Sequence, residues 1–194
     1  MLTEHSPLVG LEWSAQSERE PTTLSRSRLD TSFGARELVA RLPPHPEPSA
    51  RDVYLFHFDF LQPEHMQDKE KRQDGFESIT ILCTREKPLF SIRALAEHGH
   101  RWFLHNDTDG SSSPLTLVGA LWPHKLTVCF DLNGRVTLHD GPTAQAPIIA
   151  ELFIADPLQV GALLLTNRTG GDLALNRIEA GILTENRDED NPLH

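Results

Sequence analysis

The apolar residues of this chain recur mostly at every second position, in short runs separated by turn-forming residues. That period belongs to strands whose one face is buried. From Asp52 to Leu61, the side chains of Tyr54, Phe56, Phe58 and Phe60 share one face, and Val53, Leu55, His57 and Asp59 share the other. Four aromatics in one row mark a core-facing strand. Residues 76–83 and 89–95 flank the turn-like Arg85-Glu86-Lys87-Pro88 and predict a hairpin. Residues 101–105 predict a short strand, 106–114 a polar loop and 115–121 a further strand. Residues 157–167 and 172–183 predict a closing pair around Thr169-Gly170-Gly171. Residues 38–42 and 148–154 fit either a strand or a short helix.

The segment from Lys125 to His139 predicts its own register. A two-residue turn at Asn133-Gly134 would oppose Phe130 with Thr137, mixing the two faces. A three-residue loop, Leu132-Asn133-Gly134, opposes Phe130 with Val136 and Val128 with Leu138. A slip of one residue turns a whole strand over, so the apolar pattern selects the longer loop. That loop is a type I turn closed by a G1 bulge, with Gly134 at the left-handed position. Val128, Phe130, Val136 and Leu138 then point inward. Lys125, Thr127, Thr137 and His139 point outward, beside Cys129.

Roughly ten short strands with turn signals every eight to twelve residues predict an all-β, two-sheet antiparallel jelly-roll sandwich. The regular intervening helices that a parallel α/β fold requires are missing from the pattern. The expected organisation is an extended, partly packed arm over residues 1–34, the sandwich over 35–184, and a disordered acidic tail over 185–194. Polar residues dominate from Ser14 to Arg28, and the Pro-rich LPPHPEPSA and the charged residues 62–74 read as loops.

The strand order resembles that of the concanavalin A-like lectin and laminin G-like jelly rolls. The residues that carry the resemblance are DVYLFHFDF, KLTVCFDLNGRVTLHDG, PLQVGALLLTN and DLALNRIEAGI. It spans about Leu38 to Leu183 and is a likeness of strand types. That superfamily holds sugar-binding modules, glycan hydrolases and lyases, and plain interaction domains, so fold alone does not select a function.

Charge and composition narrow the field. The formal net charge of −10 disfavours nucleic acid and anionic membrane surfaces as partners, since both demand a dense basic face. No apolar run is long enough to span a bilayer, so no membrane insertion is expected. The first residues lack the basic and apolar regions of a secretory leader. The expected setting is the cytoplasm, or outside it as a domain cut from a longer protein. Ten histidines could bring the net charge close to zero when most are protonated, at about pH 5 to 6. Cys83 and Cys129 lack metal-ligand spacing and read as buried free thiols.

Candidate chemistry is sparse. Jelly-roll glucanases carry alternating carboxylates on one strand; here the nearest approach is Asp59 and Glu64, with Gln62-Pro63 between them. His98 and His100 could share a face and bind a metal, with Trp102 alongside. Asn106-Asp107-Thr108-Asp109-Gly110 offers hard oxygens suited to calcium, though an Asx-type turn is the better explanation. Asn106-Asp107-Thr108 and Asn167-Arg168-Thr169 have the form of glycosylation acceptors. Neither a G-x-S-x-G nor a phosphate-binding Gly loop occurs.

The expectation is therefore a non-catalytic module that binds a glycan or a protein partner and requires no cofactor, calcium being a minor alternative. Trp102 would stack on a sugar ring, the alternative being a place in the core, and His105 and Asp107 would supply hydrogen bonds. A glycan hydrolase or lyase is one alternative, with Tyr54, the single tyrosine, as a lyase candidate. A structural or regulatory domain without a small ligand is the other. The outward face of the 125–139 hairpin is a second candidate surface.

Overall fold

The strand with four aromatics on one face organises the molecule. A computed structural model describes residues 2–4, 9–10, 14–15, 36–42, 52–60, 78–95, 101–116, 125–167 and 175–185. Its regular elements are all strands. They are β1 (Leu2–Glu4), β2 (Val9–Gly10), β3 (Ser14–Ala15), β4 (Arg36–Arg41), β5 (Val53–Phe60), β6 (Ser78–Cys83) and β7 (Pro88–Leu95). The chain continues with β8 (Arg101–Asn106), β9 (Ser112–Pro114), β10 (Lys125–Asp131), β11 (Arg135–Asp140), β12 (Ile148–Phe153), β13 (Val160–Asn167) and β14 (Leu175–Glu185).

These form two antiparallel sheets. The first runs β1-β14-β5-β10-β11-β12, with β2 also pairing with β14; the second runs β3-β4-β13-β6-β7-β8-β9. This is the predicted jelly-roll sandwich. Inward rows of alternating residues meet between the sheets. Tyr54, Phe56, Phe58, Phe130, Ile79, Ile81, Phe90 and Leu104 are all at most 1% exposed. Each such side chain stabilises the sandwich by about 1.5–3 kcal/mol. Phe90 of β7 and Phe130 of β10 meet edge to face across the two sheets, with ring centroids 5.4 Å apart.

The hairpin follows the predicted register, with Phe130 opposite Val136 and Val128 opposite Leu138. The amide of Gly134 donates to the Asp131 carbonyl at 3.0 Å, and Gly134 has φ of 100°. The Asp131 carboxylate accepts from the amides of Asn133 and Arg135, which closes the loop.

Three sequence expectations change. Both segments that fitted strand or helix are strands, β4 and β12, because each finds a partner at its side. The polar loop expected over 106–114 contains β9, whose register partners on β8 run from Phe103 to His105. Its Ser-Ser-Pro sequence has no apolar alternation, and a proline is tolerated there because β9 is an edge. Leu115 and Thr116 lie outside any strand, and residues 117–121 lie outside the described residues. So do His98, His100, the Pro-rich segment, residues 62–74, the Gly170-Gly171 turn and residues 186–194.

Turns cluster at one end of the sandwich and are tied together. The Thr84 amide donates to Gln159 O, the Asp107 amide to Leu89 O and the Ile154 amide to Gly134 O. At the same end the Asn106 side-chain amide donates to the Phe153 carbonyl at 3.0 Å, joining the second sheet to edge strand β12 of the first. A second link runs from the Thr116 amide to Ile149 O at 3.3 Å.

Candidate functional site

Strand alternation decides where each expected site residue lands. Trp102 pairs with Ala94 on the inward row of β8 and is 2% exposed. Its ring belongs to the core, so it does not present a face to a sugar. Tyr54 is likewise buried, at 1% exposure, stacked 6.2 Å from Phe130. Burial pushes its hydroxyl above the ordinary tyrosine range. A lyase role for it has no access to substrate.

His105 and Asp107 do come together. Arg93 donates to an Asp107 oxygen through Nη2 and to Ser91 Oγ through Nε, the latter at 2.8 Å. His105 Nε2 stands 3.8 Å from the same Asp107 oxygen, and its Nδ1 is 2.6 Å from Ser112 Oγ. The other Asp107 oxygen is buried without a hydrogen-bond partner. These contacts make a cross-strand polar network on β7, β8 and β9.

The neighbouring loop is organised by its own hydrogen bonds. Asn106 Oδ1 accepts from both the amide and the hydroxyl of Thr108, and Asp109 Oδ1 accepts from the Ser111 amide. Hydrogen bonds from Ser111 hold Asp109 below the ordinary carboxylate range. Arg93 already brings a positive charge to Asp107. Asn106-Thr108 is an Asx turn. Asn106 is itself 1% exposed with both ends of its amide engaged, which also removes it as a glycosylation acceptor. Among the described residues, no group of three or more His, Cys, Asp and Glu is placed to hold a metal.

The outward face of the hairpin is where the structure departs most from expectation. Thr127, Thr137 and His139 do point outward, yet they are 0%, 7% and 6% exposed. The segment after β11 folds back over them. Thr127 Oγ1 donates to Gly141 O at 2.7 Å, and His139 Nδ1 donates to Ala146 O at 2.8 Å. Thr127 has one hydroxyl proton, and Gly141 O can only accept it. His57 Nδ1, 2.8 Å from the same oxygen, must therefore be the donor. This sets the His57 tautomer and orients its ring.

Beside that chain of bonds lies a cavity of about 210 Å³. It is lined by His57 and Asp59 of β5, Lys125 of β10, Glu179 of β14 and Pro142 of the covering segment. Phe58 and Leu126, whose own side chains are buried, close it where β5 meets β10. The strand register explains the gathering. Lys125 is opposite Asp59, and Glu179 is opposite His57 on the other side of β5. Lys125 and the outward positions of His57 and Asp59 are legible in the sequence. Glu179 and Pro142 are not, because their placement depends on which strands become neighbours.

The rim of the same sheet carries an exposed aromatic. Phe153, at the end of β12, is 61% exposed and sits opposite Arg135. Arg135 binds Glu151 through two parallel bonds, Nε to Oε1 at 3.0 Å and Nη2 to Oε2 at 3.2 Å.

No protein-family model and no curated protein sequence matches the chain. Solved structures do. The VIP36 exoplasmic/lumenal domain with calcium and mannose bound is 10% identical, with a TM-score of 0.54 over 93% of this chain and 85% of that one. Its metal-free form is 12% identical, with a TM-score of 0.52 over 93% and 86%. The legume lectin-like domain from Entamoeba histolytica is 8% identical, with a TM-score of 0.50 over 91% of each chain. At such identities the likeness establishes the fold: this chain adopts the concanavalin A-like lectin sandwich.

Proposed function

We propose that this domain is a non-catalytic glycan-binding module and that the cavity beside His57 receives one sugar ring. The observation that carries this reading is the cavity's lining. Two carboxylates, an ammonium, an imidazole and the apolar ring of Pro142 meet in one small space. Sugars present hydroxyls that both donate and accept, together with apolar C–H patches, so they suit such a mixture. The volume is below the roughly 300–1,000 Å³ of pockets for drug-sized ligands, in keeping with a single ring. The lectin-like neighbours, one of them with mannose bound, support the ligand class.

His105 and Asp107 remain in the proposal as a separate polar contact, without Trp102. Calorimetric titration with a panel of mono- and oligosaccharides tests the whole reading. Lys125→Ala and Glu179→Gln should each weaken binding about tenfold, the effect of losing one charge-assisted hydrogen bond. Substitution of His105 should weaken it less. If wild-type protein binds no member of the panel, the glycan reading falls.

A second reading is favoured by one observation. Asp59 and Glu179 lie on adjacent strands, two residues out of direct register. Diagonal neighbours are about 7–8 Å apart, within the spacing of two carboxylates that act through a water on a glycosidic bond. Release of reducing sugar from the panel oligosaccharides, abolished by Glu179→Gln, would replace binding with hydrolysis as the function.

A further inference from the structure

We propose that the exposed ring of Phe153 and the Arg135–Glu151 pair beside it form a second glycan contact, a flat platform on the rim of the first sheet.

The geometry begins with Gly134. A β-carbon there would lie 3.2 Å from Cε2 of Phe153, so the Phe153 ring rests against the glycine of the hairpin turn. The backbone beneath is fixed from both sides. The Ile154 amide donates to Gly134 O at 2.7 Å, and the Asn106 side chain donates to Phe153 O. An exposed aromatic ring is therefore carried on a braced backbone, which limits the entropy lost on binding.

Its surroundings select the occupant. Arg135 and Glu151 remain 54% and 49% exposed, and they pair in the planar, bidentate manner. The Arg135 hydrogen bond holds the Glu151 carboxyl below the ordinary range, and the pair stays ionised through neutral pH. A protein partner that covered Phe153 broadly would bury this ion pair and pay its desolvation. Added strands are also disfavoured, because Phe153 O and Ile149 O already accept bonds from the second sheet. An occupant of one ring's width, apolar on one face and hydroxyl-bearing at its edge, meets both features. Its C–H face would lie on Phe153, while its edge hydroxyls would reach the remaining lone pairs of Glu151 and donors of Arg135. The ligand class is a pyranose with a continuous C–H face, such as a β-linked gluco- or galacto-configured sugar.

This platform is separate from the cavity beside His57, and the two can be told apart. Wild type, Phe153→Ala, Phe153→Leu, Phe153→Trp and Lys125→Ala are titrated with methyl β-glucoside, methyl β-galactoside, cellobiose and lactose. Thermal unfolding confirms that each variant is folded. Both Phe153→Ala and Phe153→Leu should weaken binding roughly tenfold, the second because it keeps apolar bulk without an aromatic face. Phe153→Trp should retain binding and add a sugar-dependent fluorescence change that the wild type lacks. Sugar binding unchanged in Phe153→Ala but lost in Lys125→Ala overturns the platform and leaves the cavity reading intact. Loss confined to the Phe153 variants keeps the platform and shows that these sugars do not use the cavity. Absence of binding in the wild type removes the platform and leaves the cavity to be decided on the wider sugar panel. Sedimentation is measured alongside. A wild-type dimer that Phe153→Ala dissociates, without any change in sugar binding, overturns the platform in favour of a second copy of this chain.

Discussion

Two residues show how a single position constrains the molecule. Gly134 is required twice, by its φ of 100° and by its neighbour: a β-carbon would stand 2.1 Å from the Ile154 carbonyl oxygen. Gly134→Ala should therefore cost more than backbone strain alone. Strain of about 1–3 kcal/mol adds to about 1 kcal/mol for the displaced bond to Ile154. Urea denaturation should read the sum as a lowered midpoint; an unchanged midpoint would show that the turn relaxes freely. Cys129 is the second case. Burial pushes its thiol up to about 11, against the opposing hydrogen bond with Thr137. At pH 7.5 about one molecule in three thousand is then thiolate, so a disulfide reagent should label the folded protein very slowly. Rapid labelling would show that the site opens. The same shift bears on alkaline stability. From about pH 9 to about pH 11 the unfolded chain ionises at this thiol while the folded chain does not, so stability falls as pH rises through that window. Below it, Cys129 contributes no pH dependence.

At the scale of elements, legibility follows the burial of faces. The β10–β11 register was readable because its four inward residues, Val128, Phe130, Val136 and Leu138, have no other apolar arrangement. Strand β9 was not readable, since an edge of serine and proline carries no such pattern. Trp102 is ambiguous in sequence for a different reason. Ring-stacking and core aromatics look alike until the inward row is known, and β8 pairing puts Trp102 on it. Glu179 and Phe153 belong to their sites through sheet order, which local periodicity does not contain. The Asn106 link tests the element scale directly. Asn106→Ala removes both the cap on Phe153 O and the acceptor in the Thr108 turn, leaving part-buried backbone groups unpaired. A loss of about 2–4 kcal/mol is expected, with faster amide exchange at the end of β12 as its local signature. Exchange unchanged there would mean that the two sheets hold together without it.

Across the whole molecule, opposing charges set behaviour in solution. The net charge of −10 keeps molecules apart near neutrality, and ten histidines can cancel it on acidification. Turbidity should rise as pH falls from about 7 to about 5, and should recede on added salt only if attraction between charges drives it. Flat turbidity would show that the histidines do not titrate together in this range. A free strand edge is the usual route from such crowding to ordered aggregates, because it offers unpaired amides and carbonyls as a template for the next chain. At β12 that route is partly blocked from within, by the side chain of Asn106 and the backbone of Thr116 reaching across from the other sheet. Precipitate formed at low pH should therefore be amorphous and redissolve on neutralisation, whereas Asn106→Ala should convert part of it into thioflavin-positive fibres seeded from this edge.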